Sequence, residues 1–157
     1  MYKLRVTTWI DAPAEICFDL ARGIEAHVES SMGTGERVVG DRQSGLLAPG
    51  DEVTWEGRHL GVTQRLSSRI TEFRPVAHFQ DRMTRGAFKS FEHDHFFDPK
   101  DGGTMMTDVV SFQAPLGPIG WFAERLLLAR HLRRFLIRRG IALKEMAERD
   151  PRSARDR

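Results

Sequence analysis

Residues 2–10, YKLRVTTWI, are rich in β-branched and aromatic side chains and predict an opening strand. Asp11-Ala-Pro13-Ala-Glu15 then sets a capping carboxylate before an early proline, with an acid in the first turn. Ile16, Phe18, Leu20 and Ala21 fill the short helix that follows, and Gly23 breaks it. A second short helix over 24–29 carries His27 and ends in a loop at Met32-Gly-Thr-Gly35. From Glu36 the pattern turns extended, with strands predicted near 36–42, 51–59, 62–73, 76–84, 87–97 and 104–113. The connections at 48–51, 60–61, 74–75, 85–86 and 100–103 are turn sequences too short for helical crossovers, so these strands form an antiparallel meander. After Pro115-Leu-Gly-Pro118, apolar residues recur at nearly helical spacing: Ile119, Phe122, Leu126, Leu132, Leu136, Leu143 and Met146. They predict one long helix over about 118–148, its apolar face laid across the sheet.

One strand departs from ordinary patterning. In FKSFEHDHFF, residues 88–97, Phe91, His93, His95 and Phe97 occupy every second position. Alternate side chains of a pleated strand share a face, so two imidazoles stand among phenylalanines on one side, with Glu92 and Asp94 on the other. A half-buried strand normally gives its inner face to aliphatic residues, and switchable bases there point to a cavity lining. A slip of one residue would bring Ser90, Glu92 and Asp94 inward instead. Equally, two strand histidines can be structural groups satisfied by neighbours.

Composition narrows the class. With 157 residues, 40% of them hydrophobic, the chain can bury the core of a single domain without disulfides, expected over 1–149 with a solvated tail at 150–157. Cys17 falls within the apolar periodicity of the first helix, as a small core residue suited to a reducing compartment. No signal-peptide core opens the sequence and no run of about 18 apolar residues occurs, so a cytoplasmic protein is expected. The net charge of +2 conceals an asymmetry, because residues 118–157 hold 11 basic and 5 acidic residues. Arg125, Arg130, Arg133, Arg134, Arg138 and Arg139 make the last helix basic; this is either a solvated face or a peripheral contact with anionic lipid. No nucleic-acid partner is expected. No phosphate loop, Ser-His-Asp motif or zinc-finger spacing appears.

Five local motifs span nearly the whole chain: WIDAPAEICFDLA at 9–21, PGDEVTW at 49–55, ITEFRP at 70–75, FEHDHFFD at 91–98 and GTMMTDVVSFQAPLGPIG at 103–120. Together they resemble the START-like, or SRPBCC, superfamily in its polyketide cyclase/dehydrase-like branch. There an aromatic-x-His-x-His-x-Phe strand precedes a Gly-Thr-x-Met-x-Asp strand and a Pro-x-Gly-Pro corner. The resemblance implies an α+β helix-grip fold: a curved, antiparallel, seven-stranded sheet wrapped around a long C-terminal helix, with two short helices between strands 1 and 2. It also implies an interior for a small apolar molecule, expected at about 300 Å³ or more. The superfamily covers lipid carriers, hormone receptors, cyclases and stress proteins, so the fold leaves activity open.

Strand alternation nominates the lining. With His93 and His95 inward, the next strand presents Met106, Asp108, Val110 and Phe112, and the preceding one Phe79, Asp81 and Met83. An aspartate beside a histidine fixes its tautomer and raises its basicity, so His93, His95 and Asp108 are the catalytic set if the protein is an enzyme. Phe91, Trp55, His59, His27 and Leu132 complete the candidate ligand-binding residues. His93-x-His95 with Asp81 or Asp108 is a metal-like grouping. Because no third histidine lies at tight spacing and the resembled branch is not generally metal-dependent, no metal and no cofactor are expected. The reading is binding of a small hydrophobic or aromatic ligand by a monomer or homodimer. The alternatives are a cyclase, dehydratase or isomerase using His93 or His95 with Asp108, and a lipid or quinone carrier at a membrane surface.

Overall fold

The structure, a computed structural model, describes residues 1–114 and 127–154. The Pro-x-Gly-Pro corner, the predicted first turns of the last helix with Ile119, Phe122, Arg125 and Leu126, and residues 155–157 lie outside the described residues. Strand β1 (Tyr2–Ile10) leads into helices α1 (Ala14–Ala21) and α2 (Ile24–Ser30). Six strands follow: β2 (Arg37–Val39), β3 (Glu52–His59), β4 (Val62–Arg74), β5 (His78–Arg85), β6 (Ser90–Lys100) and β7 (Gly103–Gln113). Helix α3 (Ala129–Arg149) comes last. The sheet runs β1-β7-β6-β5-β4-β3-β2, antiparallel throughout, so β2 to β7 form the meander and β1 closes onto β7. This is the helix-grip α+β arrangement implied by the sequence motifs.

The hairpins form for local reasons. Leu60 and Gly61 (φ 52° and 80°), like Asp101 and Gly102 (φ 52° and 78°), put two successive left-handed residues between strands, the turn whose twist matches that of the flanking pair. Register shifts between Ser67 and Ser68 and between Ile70 and Glu72 interrupt the β4–β5 ladder, the kind of irregularity that bends a sheet. On the inner face the side chain of Phe18 meets Phe73, Phe79 and Phe97 edge-on, with centroids 5.3, 5.6 and 5.5 Å away, which docks α1 on the sheet. Cys17 is part of this core, and burial pushes its thiol up to about 11, consistent with the inert role expected of it.

Four local expectations are corrected. Asp11 does not cap α1: Pro13 is the N-cap and no side chain caps it, because Pro13 holds the extended conformation before Ala14 and its carbonyl receives the Ile16 and Cys17 N–H groups. The Asp11 N–H donates instead to Glu148 on α3 at 2.9 Å. β2 is three residues long rather than spanning 36–42, with Gly40 turning into left-handed backbone at φ 105°. Arg139 does not share the basic face of α3; it is 3% exposed and points inward, whereas Arg130, Arg133, Arg134 and Arg138 are exposed. The tail is not wholly solvated, since Pro151–Ala154 form a 3-10 turn and the buried Ser153 hydroxyl donates to the Ala147 carbonyl at 2.6 Å. No helix of the described residues is long and apolar enough to cross a membrane.

Candidate functional site

α3 crosses the inner side of the sheet with Leu132, Leu136, Leu143 and Ala147 buried, and a cavity of about 130 Å³ remains between helix and strands. That is smaller than the volume of about 300 Å³ expected from typical ligand sites. The β6 register holds as predicted: Phe91, His93, His95 and Phe97 are buried, while Glu92 and Asp94 lie only partly covered on the other face. Pairing then fixes the neighbours. His95 stands opposite Asp108 on β7 and Phe79 on β5, and His93 stands opposite Val110 and Asp81.

These pairings assemble a buried ionic cluster. His93 Nε2 lies 2.9 Å from Asp108 Oδ1, with hydrogen-bond geometry. His95 Nδ1 lies 2.9 Å from the same oxygen, as an ion-pair contact that lacks hydrogen-bond alignment. The other ring nitrogen of His95, Nε2, bonds Asp81 Oδ2 at 3.1 Å, and His93 Nδ1 stands 3.9 Å from that oxygen. Phe79 stacks on His95 at 4.3 Å, and the two imidazoles are 3.8 Å apart. From α3, Arg139 Nη1 reaches to 3.7 Å from Asp108 Oδ1.

The charges in the cluster are set by position. Burial alone would raise the Asp108 carboxyl, but the hydrogen bond from His93 and the close contact with His95 outweigh it and hold the group well below the usual carboxylate range. Asp81 is likewise held low against its burial, by His95 and the nearby imidazole charges. His93 is pushed down by burial and then by the charge of His95, which favours its neutral form. For His95, burial also acts downward, yet its contacts with Asp108 and Asp81 win and raise it, which favours its protonated form.

A second polar chain enters the same cavity. His27 Nε2 lies 2.6 Å from Glu36 Oε2, Glu36 Oε1 lies 3.0 Å from His59 Nε2, and His59 Nδ1 lies 3.0 Å from His131 Nε2 on α3. His27 stacks on Trp55 with centroids 3.8 Å apart. Burial would raise Glu36, but bonding to His27 and His59 holds it far below the carboxylate range, while burial pushes His27 down. Gly57 makes this possible: a Cβ at that position would stand 2.5 Å from Glu36 Cγ, so any side chain there would drive the carboxylate out.

Of the nominated residues, His27, Trp55, His59, Phe79, Asp81, Phe91, His93, His95 and Leu132 border the cavity. Asp108 sits behind the imidazoles and orients them. Met83 and Phe112 do not border it; Phe112 is fully buried with Leu4, Val110 and Leu136 in the apolar cluster whose Phe91 and Leu132 do reach the cavity, and Met83 packs against that cluster. Both share the parity of the lining strands, but the cavity does not extend along the whole inner face. Glu36, His131 and Arg139 also border the cavity, and sequence reasoning missed all three. For Arg139 the signal was its position seven residues after Leu132 and four before Leu143, on the apolar stripe; for Glu36 it was a glycine in the middle of β3. His131 had no sequence signal.

Asp81, His93 and His95 offer ligand atoms within 4.8 Å of one another and are the residues that could hold a metal ion. A divalent ion there would have to displace the proton that His95 shares with Asp81, close to the fixed positive charge of Arg139, which weighs against it.

No protein-family model matches the chain, and no curated protein does. Solved structures do match, and they establish the fold as the helix-grip fold of START-like proteins. The ZhuI aromatase/cyclase from Streptomyces sp. R1128 superposes with a TM-score of 0.74 at 14% identity, over 98% of each chain. The TTHA0849 protein of Thermus thermophilus gives 0.71 at 17% identity, over 93% of this chain and 99% of that one. Major latex-like protein 151 of Panax ginseng gives 0.65 at 15% identity, over 93% and 97%.

Proposed function

We propose that the protein binds a small hydrophobic or aromatic molecule in the cavity between the sheet and α3. The observation that carries this is the division of the lining: Leu66, Phe88, Phe91, Leu132 and Phe135 form an apolar wall, and the wall ends on the ionised cluster of Asp81, His93, His95 and Arg139. Such a site takes an apolar body and orients it through a few fixed polar groups. The fold neighbours support the same kind of cargo, one of them being named an aromatase/cyclase. Native mass spectrometry of protein purified from its source organism is expected to show a retained organic molecule of low mass. Uniformly ligand-free protein that also fails to take up small aromatics in solution would contradict the proposal.

A second reading, proton transfer on the bound molecule, is favoured by one observation. His93 borders the cavity, is oriented through Nε2 by Asp108 and is shifted toward its neutral form by burial, which leaves Nδ1 as its basic nitrogen. On this reading His93→Gln keeps affinity and lowers turnover by about two to four orders of magnitude. On the binding reading alone there is no turnover to lose.

A further inference from the structure

Arg139 lies on the stripe of α3 otherwise filled by Leu132, Leu136 and Leu143, and it is as buried as they are. Its Nη2 donates to the Ala21 carbonyl at 3.1 Å. Its Nη1 is 3.7 Å from Asp108, too far for a hydrogen bond, and among the described residues no acceptor meets either Nη1 or Nε. A guanidinium has five N–H donors and no acceptor, and native interiors seldom leave buried donors without a partner. These donors belong to a side chain that borders the cavity.

Charge and size restrict what could accept from them. Asp81 and Asp108 stand in contact with His93 and His95, Asp108 also with Arg139, and Glu36 adds a third carboxylate to the same cavity; the other lining arginines, Arg22 and Arg65, are already paired with Asp19 and Glu56. An anionic ligand would add a negative charge beside three carboxylates, whereas a neutral oxygen would satisfy the N–H groups and add none. The volume of about 130 Å³ is close to that of an apolar cavity of about 150 Å³ that accepts benzene, which points to one ring rather than several.

Resting on the ligand-binding reading above, we propose that the cavity takes a single-ring aromatic molecule bearing a neutral acceptor oxygen, such as an aryl ketone, and that Arg139 donates to that oxygen. The ring lies against Phe88, Phe91 and Leu132, and the oxygen points to α3. Arg139 is thereby the residue that separates oxygenated ligands from plain hydrocarbons.

The test is calorimetric titration of the full chain with acetophenone, ethylbenzene and benzoate. Acetophenone is expected to bind about tenfold to a hundredfold more tightly than ethylbenzene, the usual advantage of a hydrogen bond to a charged group. Benzoate is expected to bind more weakly than acetophenone. In Arg139→Met, which keeps length and removes every donor, the preference for acetophenone over ethylbenzene should disappear while ethylbenzene binding is retained. Should that variant fail to fold, the Arg139 Nε–H resonance of the wild-type protein supplies the same information, shifting with acetophenone and not with ethylbenzene. Equal binding of acetophenone and ethylbenzene to wild type would overturn the role of Arg139 and leave the ligand-binding reading standing. Tightest binding by benzoate would overturn the neutral-oxygen assignment. No binding of any probe would overturn this proposal, and the ligand-binding reading would fall with it only if the purified protein were also ligand-free by native mass spectrometry.

Discussion

Asp108→Ala is expected to destabilise the protein by about 3–5 kcal/mol, the cost of removing one partner from a buried ionic group. Asp108 is 1% exposed and its Oδ1 serves His93, His95 and, at longer range, Arg139. Deleting it leaves His95 with Asp81 as its carboxylate partner and removes from the buried Arg139 the carboxylate in contact with it. Asp108→Asn keeps the volume and an acceptor oxygen but removes the charge, and should fall between wild type and Ala. Urea unfolding followed by circular dichroism measures both variants. A loss of under about 1 kcal/mol for Asp108→Ala would mean that the cluster is not held together through this carboxylate.

Stability is expected to peak near neutral pH and to fall on both sides, with the steeper fall on the acid side. Burial pushes His27 and His93 below the ordinary histidine value, so as pH drops below about 6.5 the unfolded chain takes up protons that the folded one refuses. That lowers stability by about 1.4 kcal/mol for every tenfold difference in proton affinity. Glu36, Asp81 and Asp108 act later in the same direction: held low in the fold, they contribute stability above the unfolded carboxylate range near pH 4, and it is lost as pH falls further. His95 has the opposite sign. Raised by Asp108 and Asp81 against its burial, it contributes fully below about pH 6.5 and loses that contribution as pH rises through its folded value. Urea midpoints from pH 4 to 9 measure the curve. His93→Gln should flatten the limb between pH 6.5 and 5, and His95→Gln the alkaline limb. A wild-type curve flat between pH 5 and 7 would be incompatible with neutral His27 and His93.

Much of this architecture was legible in local pattern. Period-two alternation placed His93 and His95 on the inner face, and the turn residues at 60–61 and 100–103 marked hairpins that form with left-handed backbone at Leu60-Gly61 and Asp101-Gly102. Helical spacing placed Leu132, Leu136 and Leu143 in the core. The same parity also nominated Met83 and Phe112, which share the inner face but lie beyond the cavity. Parity encodes which side a residue faces; it does not encode how far along the sheet the helix leaves room.

The sequence by itself determined the order of elements, the antiparallel meander and the inward face of β6, because periodicity and turn chemistry act over a few residues. Only the tertiary structure decided which carboxylate meets which imidazole, since those bonds cross the β5–β6 and β6–β7 ladders between partners 14 or 15 residues apart, and the register of each ladder selects them. It alone brought His131 to His59 across 72 positions and seated Glu36 over Gly57. It also turned Arg139 from one cation in a basic helix into a buried donor at the cavity. Composition reads every arginine on such a helix alike; the crossing of α3 over the sheet selects the one that is desolvated, and desolvation makes its unfilled hydrogen-bonding capacity decisive.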